Sequence, residues 1–232
     1  FDVTAPANQV EDGFEQITDY KKAEKVLDQA KESTCVGAVI FQNTENVLPL
    51  FANEAAIGGI GLCFDEEHAY CIEVTEQITK EFLLEKLSKL NESCGRFVMF
   101  DIKEAMKWLP IKNQKHCFDA TVAAYLLNPL KNDYTYEDVA REQLNIVIEE
   151  KSEAYVKVCY EAYTAFKGSD LLYKKLEETQ MLHLFEDIEM PLVFTLYDME
   201  RNGIRAEGEA LKVYSSQLGG RISELEKEIY EM

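Results

Sequence analysis

The sequence predicts an α/β domain in which helices flank a mixed β-sheet, followed by a C-terminal helical extension. Three short apolar runs, at residues 35–42, 55–64 and 68–74, are typical of neighbouring strands. Strand and helix patterns then alternate from residue 79 to residue 128. Beyond Tyr134 every periodic segment has helical spacing. Strands joined by short turns pair antiparallel, whereas strands joined through a helix pair in parallel. The succession of both kinds of connection therefore predicts a mixed sheet.

The amino end is predicted to be a flexible leading segment over residues 1–16, because FDVTAPANQVEDGFEQ is polar and acidic. Thr18 is expected to cap a docking helix that reaches about Lys31. Residues 35–42, CVGAVIFQ, are apolar and β-branched, which is typical of a central strand buried on both faces. The acidic turn at residues 65–67 is expected to join the next two strands.

The middle of the chain alternates between strands and helices. Asp101 is positioned to cap a helix and Pro110 to end it, because proline cannot continue a helix. The predicted elements are a helix at 79–91 with Phe82, Leu83, Leu87 and Leu90 inward, a strand at 95–100, a helix at 102–109, a strand at 116–118 and a helix from about Asp119 to Asn128.

The last hundred residues are predicted to be helical. Residues 184–202 form an amphipathic helix in which apolar residues recur every three or four positions. Pro191 lies inside this helix and is expected to kink it, and Gly203 is suited to the left-handed backbone that ends a helix. The other predicted helices cover 136–144, a long segment within 153–178, and 209–231.

Composition limits the classes of function. The 24 basic and 43 acidic residues give a net charge of −19, which disfavours a broad surface that follows a phosphate backbone. Six widely spaced cysteines without a C-x-x-C pair indicate reduced, buried thiols rather than a zinc cluster or a disulfide framework. The longest apolar runs are too short for a membrane span and the amino end is unlike a signal peptide, so we expect a cytoplasmic protein without a membrane partner.

One segment of the chain carries a specific family resemblance. The residues EDIEMPLVFTLYDMERNGIRAE resemble the connection between the 3′–5′ exonuclease domain and the polymerase domain in the bacterial DNA polymerase I family, family A. The positions that match are Glu189, Pro191, Leu192, Glu200, Asn202 and Gly203. The segments FVMFDIKEAMKWL, CFDATVAAYLLNP and YEDVAREQL resemble successive elements of the exonuclease domain, so the resemblance extends over about residues 35–207.

The resemblance implies a ribonuclease H-like 3′–5′ exonuclease fold over residues 1–182. Residues 183–232 would then be the helical connection and the first helix of the polymerase thumb. It also implies a parent DNA polymerase that uses Mg²⁺ in replication and repair, with the polymerase domain as partner and DNA bound through the parent. The polymerase's nucleotide-binding and catalytic motifs are absent from these 232 residues, so this chain alone is not expected to polymerise DNA.

The family's exonuclease holds two metal ions with carboxylates, and the matching positions here have lost acids. The first motif, Asp-x-Glu, is matched by Asn43 and Glu45, while another register places apolar strand residues there. The second motif ends at Ala105 where the family has a metal-binding Asp. Asp101 is interpreted as an N-cap, and Glu104 points about 100° away from position 105 on the helix.

The third motif, Tyr-x-x-x-Asp, falls within residues 156–164 by counting back from LFEDIEMPL. Tyr160 is followed there at the fourth position by Thr164, and Tyr155 is followed by Cys159, so neither pair supplies an acid. Tyr134 and Asp138 also match Tyr-x-x-x-Asp, but they lie before the preceding helix, so we interpret this match as coincidence. Hard divalent cations need oxygen ligands, so we predict a catalytically decayed domain without a metal, a cofactor or a catalytic residue, and with a structural role.

Two alternative functions are weighed against this prediction. The first is an active 3′–5′ exonuclease that uses Glu45, Asp101, Glu104 and Asp119 in a rearranged site. The second is a module that binds single-stranded DNA without cleaving it, for which Lys103 and Lys107 near Trp108 are the best local candidates.

Overall fold

A computed structural model describes residues 9–43 and 56–231 of the chain. The described residues contain six strands, which form one sheet in the order β1-β4-β3-β2-β5-β6. The strands are β1 (Phe14–Ile17), β2 (Cys35–Gln42), β3 (Ile57–Cys63), β4 (Ala69–Glu73), β5 (Arg96–Met99) and β6 (Cys117–Asp119). Strands β2, β3 and β4 are antiparallel neighbours, whereas the β1–β4, β2–β5 and β5–β6 pairs are parallel. The predicted mixed sheet is confirmed.

Helices flank this sheet within the first part of the described chain, and the C-terminal part is also helical. The helices are α1 (Tyr20–Ala30), α2 (Lys80–Ser93), α3 (Ile102–Ala105), α4 (Ala120–Leu127), α5 (Tyr136–Leu144), α6 (Ala154–Glu178), α7 (Leu182–Leu184), α8 (Met190–Asn202) and α9 (Gly208–Tyr230). The predicted bounds of β2 and α5 are confirmed. None of the helices in the described ranges combines the length and the apolar composition that a bilayer crossing requires.

The prediction for the amino end is wrong from residue 9 onward. Residues Gln9–Gly13 form a 3₁₀ turn, and Phe14–Ile17 form the edge strand β1, which pairs in parallel with β4. Helix α1 is capped by Asp19, whose carboxylate accepts a hydrogen bond from the Lys22 N–H at 2.9 Å, and not by Thr18. Residues 1–8 lie outside the described ranges.

Helix α6 covers one face of the sheet at close range. A methyl group on Gly37 of β2 would lie 2.6 Å from the backbone nitrogen of Phe166, and one on Gly61 of β3 would lie 2.7 Å from the Val158 side chain. Only glycine allows the backbones to approach this closely. The opposite face of β2 carries Val36 and Ala38, which are buried in a separate cluster. That cluster contains Ala23, Val26, Leu27, Leu83, Leu87 and Leu90 of α1 and α2. The sheet therefore lies between two helical layers.

The helical run from α7 to α8 contains an irregular turn. Residues Phe185–Glu189 form a π-helical turn directly before Pro191, the position at which we predicted a kink. A π-helical turn changes the backbone hydrogen-bonding pattern, so the missing N–H of a nearby proline is accommodated without ending the helix. The Tyr197 hydroxyl of α8 donates a hydrogen bond to the carbonyl of Met106 at 2.9 Å. The run is thereby anchored to the segment after α3.

The described chain divides into two compact units, Phe1–Tyr197 and Asp198–Met232. The first unit contains the sheet and extends beyond residue 182, because Phe185, Met190, Val193 and Phe194 belong to the core cluster. The second unit contains α9, none of whose residues is buried. The boundary predicted after residue 182 was based on the family resemblance, and it stays a prediction.

Candidate functional site

The second carboxylate position lies at the start of α3, after the carboxyl end of β5. Asp101 has a left-handed backbone, with φ of 51°, and its side chain accepts a hydrogen bond from the Glu104 N–H at 3.3 Å. This confirms the N-cap interpretation. Ala105 is 6% exposed and belongs to the apolar core. Glu104 is exposed and pairs with Lys107. Helix α3 ends at Ala105, earlier than the predicted residue 109, and continues as turns.

Asp119 is the most completely enclosed carboxylate at this edge of the sheet, with 2% exposure. Its Oδ2 accepts a hydrogen bond from the Ile102 N–H at 2.8 Å, and its Oδ1 accepts from the N–H groups of Thr121 at 2.9 Å and Val122 at 3.2 Å. The hydrogen bonds lower the pKa of Asp119, but the loss of hydration on burial is the larger effect. Together they raise the pKa to about 6. The side chain is therefore a shared cap for α3 and α4, as predicted for α4.

The first carboxylate motif follows the carboxyl end of β2. Asn43 is exposed, and its backbone N–H donates a hydrogen bond to the carbonyl of Ala56 at 2.9 Å. Glu45 lies outside the described residues. If the motif is instead aligned with the apolar strand residues, its positions fall within β2. Val39 of this strand is 4% exposed and packs in the hydrophobic cluster that contains Tyr160 of α6. Both registers lack the family's Asp at this strand.

The third motif lies on α6, and both of its predicted positions are fully buried. The Tyr160 ring contacts the Phe14 ring edge-on, with centroids 4.8 Å apart, and its hydroxyl donates a hydrogen bond to the Glu11 carboxylate. Thr164 is 0% exposed, and its Oγ1 has no hydrogen-bond partner among the described residues. Tyr160 and Ala105 belong to different hydrophobic clusters, and both are surrounded by apolar side chains.

Glu161 is a residue that the sequence analysis missed. It lies on the side of α6 nearest to α5, where its carboxyl group interacts with Glu137 and influences Tyr136. Loss of hydration and the nearby negative charge of Glu137 raise the pKa of Glu161 to about 7. An acid within the otherwise apolar helical stretch VCYEAYTAF was the available signal. Glu161 directly follows Tyr160, whereas the family's Tyr-x-x-x-Asp motif places its acid at the fourth position after the tyrosine.

These positions do not fit a divalent metal ion. Magnesium and manganese prefer several carboxylate or carbonyl oxygens around one point. Within the described residues no group of three or more His, Cys, Asp or Glu side chains is arranged to hold a metal ion. Ala105 and Thr164, at two positions where the family resemblance predicts an Asp, are buried and supply no carboxylate.

The cysteines offer no nucleophile. All six lie in the described ranges and are free thiols, as predicted. Burial raises the pKa of Cys94, Cys117 and Cys159 to about 12, so the reactive thiolate form is suppressed at neutral pH.

Comparison with known proteins gives a consistent set of relatives. No family model matches the chain. The DNA polymerase I of Bacillus subtilis is 31% identical over 193 residues, which is 72% of this chain and 21% of that protein. The DNA polymerase I of Borreliella burgdorferi is 28% identical over 226 residues, 88% of this chain and 25% of that protein. The chain therefore spans about a quarter or less of the length of these curated relatives.

Solved structures share the fold. The POL domain of Pol1 from M. smegmatis, in complex with DNA primer-template and dNTP, has a TM-score of 0.71 at 19% identity, with 90% of this chain and 36% of that chain covered. Brucella melitensis NrnC bound to pGG has a TM-score of 0.59 at 14% identity, with 82% of this chain and 93% of that chain covered. The ribonuclease H-like exonuclease fold is thereby confirmed. With the sequence relatives, these findings show that the chain belongs to the bacterial DNA polymerase I family, of which it matches a part.

Proposed function

We propose that this chain is a non-hydrolytic, exonuclease-like part of a DNA polymerase I, retained to support the polymerase domain. The observation that carries this proposal is the burial of non-acidic side chains at two of the matching carboxylate positions. Ala105 is 6% exposed and Thr164 is 0% exposed. Apolar packing at these places leaves neither ligands for a metal ion nor room for the water that such an ion would activate.

An apolar stripe on the first unit supports the structural role. Ile188, Leu192 and Leu196 lie at intervals of four residues on one side of the π turn and α8, and they are 50%, 41% and 40% exposed. A single exposed leucine is ordinary, but three in register form a face that is suited to an apolar partner. The relatives continue far beyond the matched region, so we assign this face to the polymerase domain of the parent protein.

The rearranged exonuclease is a weaker candidate. Asp101 caps a helix, Glu104 pairs with Lys107, and Asp119 is saturated by three backbone N–H groups. Recruiting any of them as a metal ligand would break an existing contact. Glu45 lies outside the described residues, and Glu161 adds one acid on a different element.

The binding module for single-stranded DNA is also less favoured. Lys107 is engaged by Glu104, and Trp108 is half-buried, so this segment presents little stacking surface beside an uncompensated positive charge. We propose instead that DNA contact, Mg²⁺-dependent synthesis in replication and repair, and a cytoplasmic location belong to the parent polymerase.

The proposal is tested by titrating the purified chain with Mn²⁺ in a calorimeter and incubating it with a 3′-labelled single strand in the same buffer. We expect no saturable heat from the ion and no shortening of the strand. A Glu161→Ala variant is assayed in parallel. Digestion by the chain that is lost in this variant would overturn the proposal and identify Glu161 as part of a working site.

A further inference from the structure

Helix α9 (Gly208–Tyr230) exposes its apolar side chains to solvent. None of its residues is buried. The helix has 23 residues and contains Gly219 and Gly220, and each glycine in a helix interior costs about 1 kcal/mol relative to alanine. A helix of this length and composition is marginal in water by itself, because most helix stability in proteins comes from the packing of an apolar face. Helix α9 therefore calls for a partner that covers its apolar side.

The apolar residues of α9 follow a heptad repeat. The positions of the repeat, alternately four and three residues apart, are Leu211, Ser215, Leu218, Ile222, Leu225 and Ile229. The five apolar members are 40–68% exposed. This spacing places them on one seam of the helix, with the isoleucines at a positions and the leucines at d positions. Isoleucine at a with leucine at d favours two parallel strands, so the seam is suited to a second copy of itself.

Charged residues beside the seam favour the same arrangement. Arg221 occupies a g position and Glu226 the following e position. In a parallel pair in register, Arg221 of each copy lies beside Glu226 of the other copy. An antiparallel pair with the same overlap would place the two Arg221 side chains against each other. Arg221 contacts Glu224 of its own helix at 2.9 Å, but a guanidinium has five N–H donors and can contact a second carboxylate as well.

We propose that two copies of this chain associate through α9 as a parallel two-stranded coiled coil. The occupant of the seam is a second copy because the seam is complementary to itself in both packing and charge. Gly219 and Gly220 lie at e and f positions, so they weaken the helix without interrupting the core of the pair. About three heptads make a short coiled coil, so we expect a dissociation constant of about 10–100 µM. This inference concerns the second unit and goes beyond the proposed function.

Sedimentation equilibrium of the purified chain, from about 5 to 500 µM, tests the association. We expect the average mass to rise from 26.6 kDa towards twice that value. Leu218→Asp places a charge in the core of the pair and should weaken association at least about tenfold. Val213→Asp is the matched control, because Val213 is 58% exposed on the same helix but occupies an f position on the outer side. It should leave association unchanged.

The orientation is tested with two neighbouring serines. Ser215 occupies an a position and Ser216 a b position, and both are exposed. The a positions of parallel copies face each other at a distance that a disulfide can span. Under mild oxidation Ser215→Cys should therefore give a disulfide-linked dimer, whereas Ser216→Cys should give no more of it than the natural chain with its six free thiols.

The charge pairing is tested by a swap. Arg221→Glu should weaken association, and adding Glu226→Arg to it should restore association, because only the parallel pair brings these two positions together. The proposal is overturned if the chain stays monomeric up to about 500 µM, which would leave the seam to a later segment of the parent protein. It is also overturned if Leu218→Asp and Val213→Asp associate alike, if the two cysteine variants crosslink equally, or if the swap does not restore association.

Discussion

The buried carboxylate of Asp119 accepts a hydrogen bond from the backbone N–H of Ile102 at 2.8 Å, so the helix after β6 is tied to the helix after β5. The other oxygen of the same carboxylate caps α4 through Thr121 and Val122. One side chain therefore holds the starts of both helices together at this end of the sheet. Its two oxygens are fully used by these backbone hydrogen bonds.

Asp119→Ala should lower the free energy of unfolding by about 2–4 kcal/mol. The substitution removes an N-cap, at about 1 kcal/mol, and leaves the N–H of Ile102 buried without its acceptor, at about 1–3 kcal/mol. Urea unfolding at pH 7.5, followed by circular dichroism, measures the difference.

Thr79→Ala is the matched control for this prediction. Thr79 caps α2 by accepting one hydrogen bond from the Phe82 N–H at 3.2 Å, and it ties no second helix. Its loss should cost about 1 kcal/mol or less. Equal losses for the two variants would show that the bond from Ile102 adds nothing to stability.

Glu161→Gln should change how stability depends on pH. The pKa of Glu161 is raised from 4.5 to about 7, so the folded chain keeps this proton in a range where the unfolded chain has lost it. The unfolding free energy of the natural chain therefore falls, through this group, as pH rises from about 4.5 to 7. Glutamine stays neutral and lacks this dependence.

The variant should therefore gain stability relative to the natural chain across this window and level off above it, by about 1–3 kcal/mol. Urea unfolding at pH 4.5, 6 and 8 measures the gain. A difference that is constant with pH would show that Glu161 ionises in the folded chain as it does in the unfolded chain.

Gly37→Ala should destabilise the packing of α6 on β2. The added methyl group would lie 2.6 Å from the Phe166 backbone nitrogen, and a backbone atom cannot move aside as a flexible side chain does. We expect a loss of about 3 kcal/mol in urea unfolding. Gly168→Ala on α6 is the control, because its methyl group would meet Val139 at an ordinary 3.4 Å. A loss of the same size in the control would point to helix α6 itself and not to the contact with β2.

Replacing both Leu192 and Leu196 by Asp should separate the role of the apolar stripe from that of the domain core. These side chains are 41% and 40% exposed, so the isolated chain should keep its stability within about 1 kcal/mol. In the full-length protein the polymerase domain should lose about 1–3 kcal/mol for each apolar contact, measured as its thermal unfolding.

Leu130→Asp is the control for the stripe, since Leu130 is 92% exposed and lies away from α8 in the sequence. It should leave both the isolated chain and the full-length protein unchanged. If the double variant behaves like this control in the full-length protein, the stripe does not contact the polymerase domain.

The strongest local patterns allowed much of the fold to be predicted. Strand β2 is continuously apolar, and α5 has a cap at Thr135 and helical spacing, so both were predicted with their observed bounds. Strand β1 was missed because its four residues carry only one fully buried side chain, Ile17. Its strand identity depends on pairing with β4, more than fifty residues later, which no local pattern contains.

Sequence patterns were less informative about the candidate site. They identified Asp119 as a cap for α4, because an acid preceded a helix, but its bond from Ile102 depends on the approach of two separate loops. Glu161 was not predicted because its position depends on which face of α6 meets α5. Residue spacing within α6 alone does not contain that information. Arg96 contacts Asp170 and Tyr173 of α6, more than seventy residues later in the chain, and such contacts follow only from tertiary structure.

The π-helical turn at Phe185–Glu189 also constrains how this chain can change in length. Each residue of a regular helix advances the rotation by about 100°, whereas a π-helical turn closes its hydrogen bonds over one residue more. Losing one residue from this turn would therefore convert it into a regular helical turn and keep Tyr197 facing the Met106 carbonyl to which it donates. Losing one residue of α8 between Pro191 and Tyr197 would instead rotate every later side chain of the helix by about 100° and break that contact.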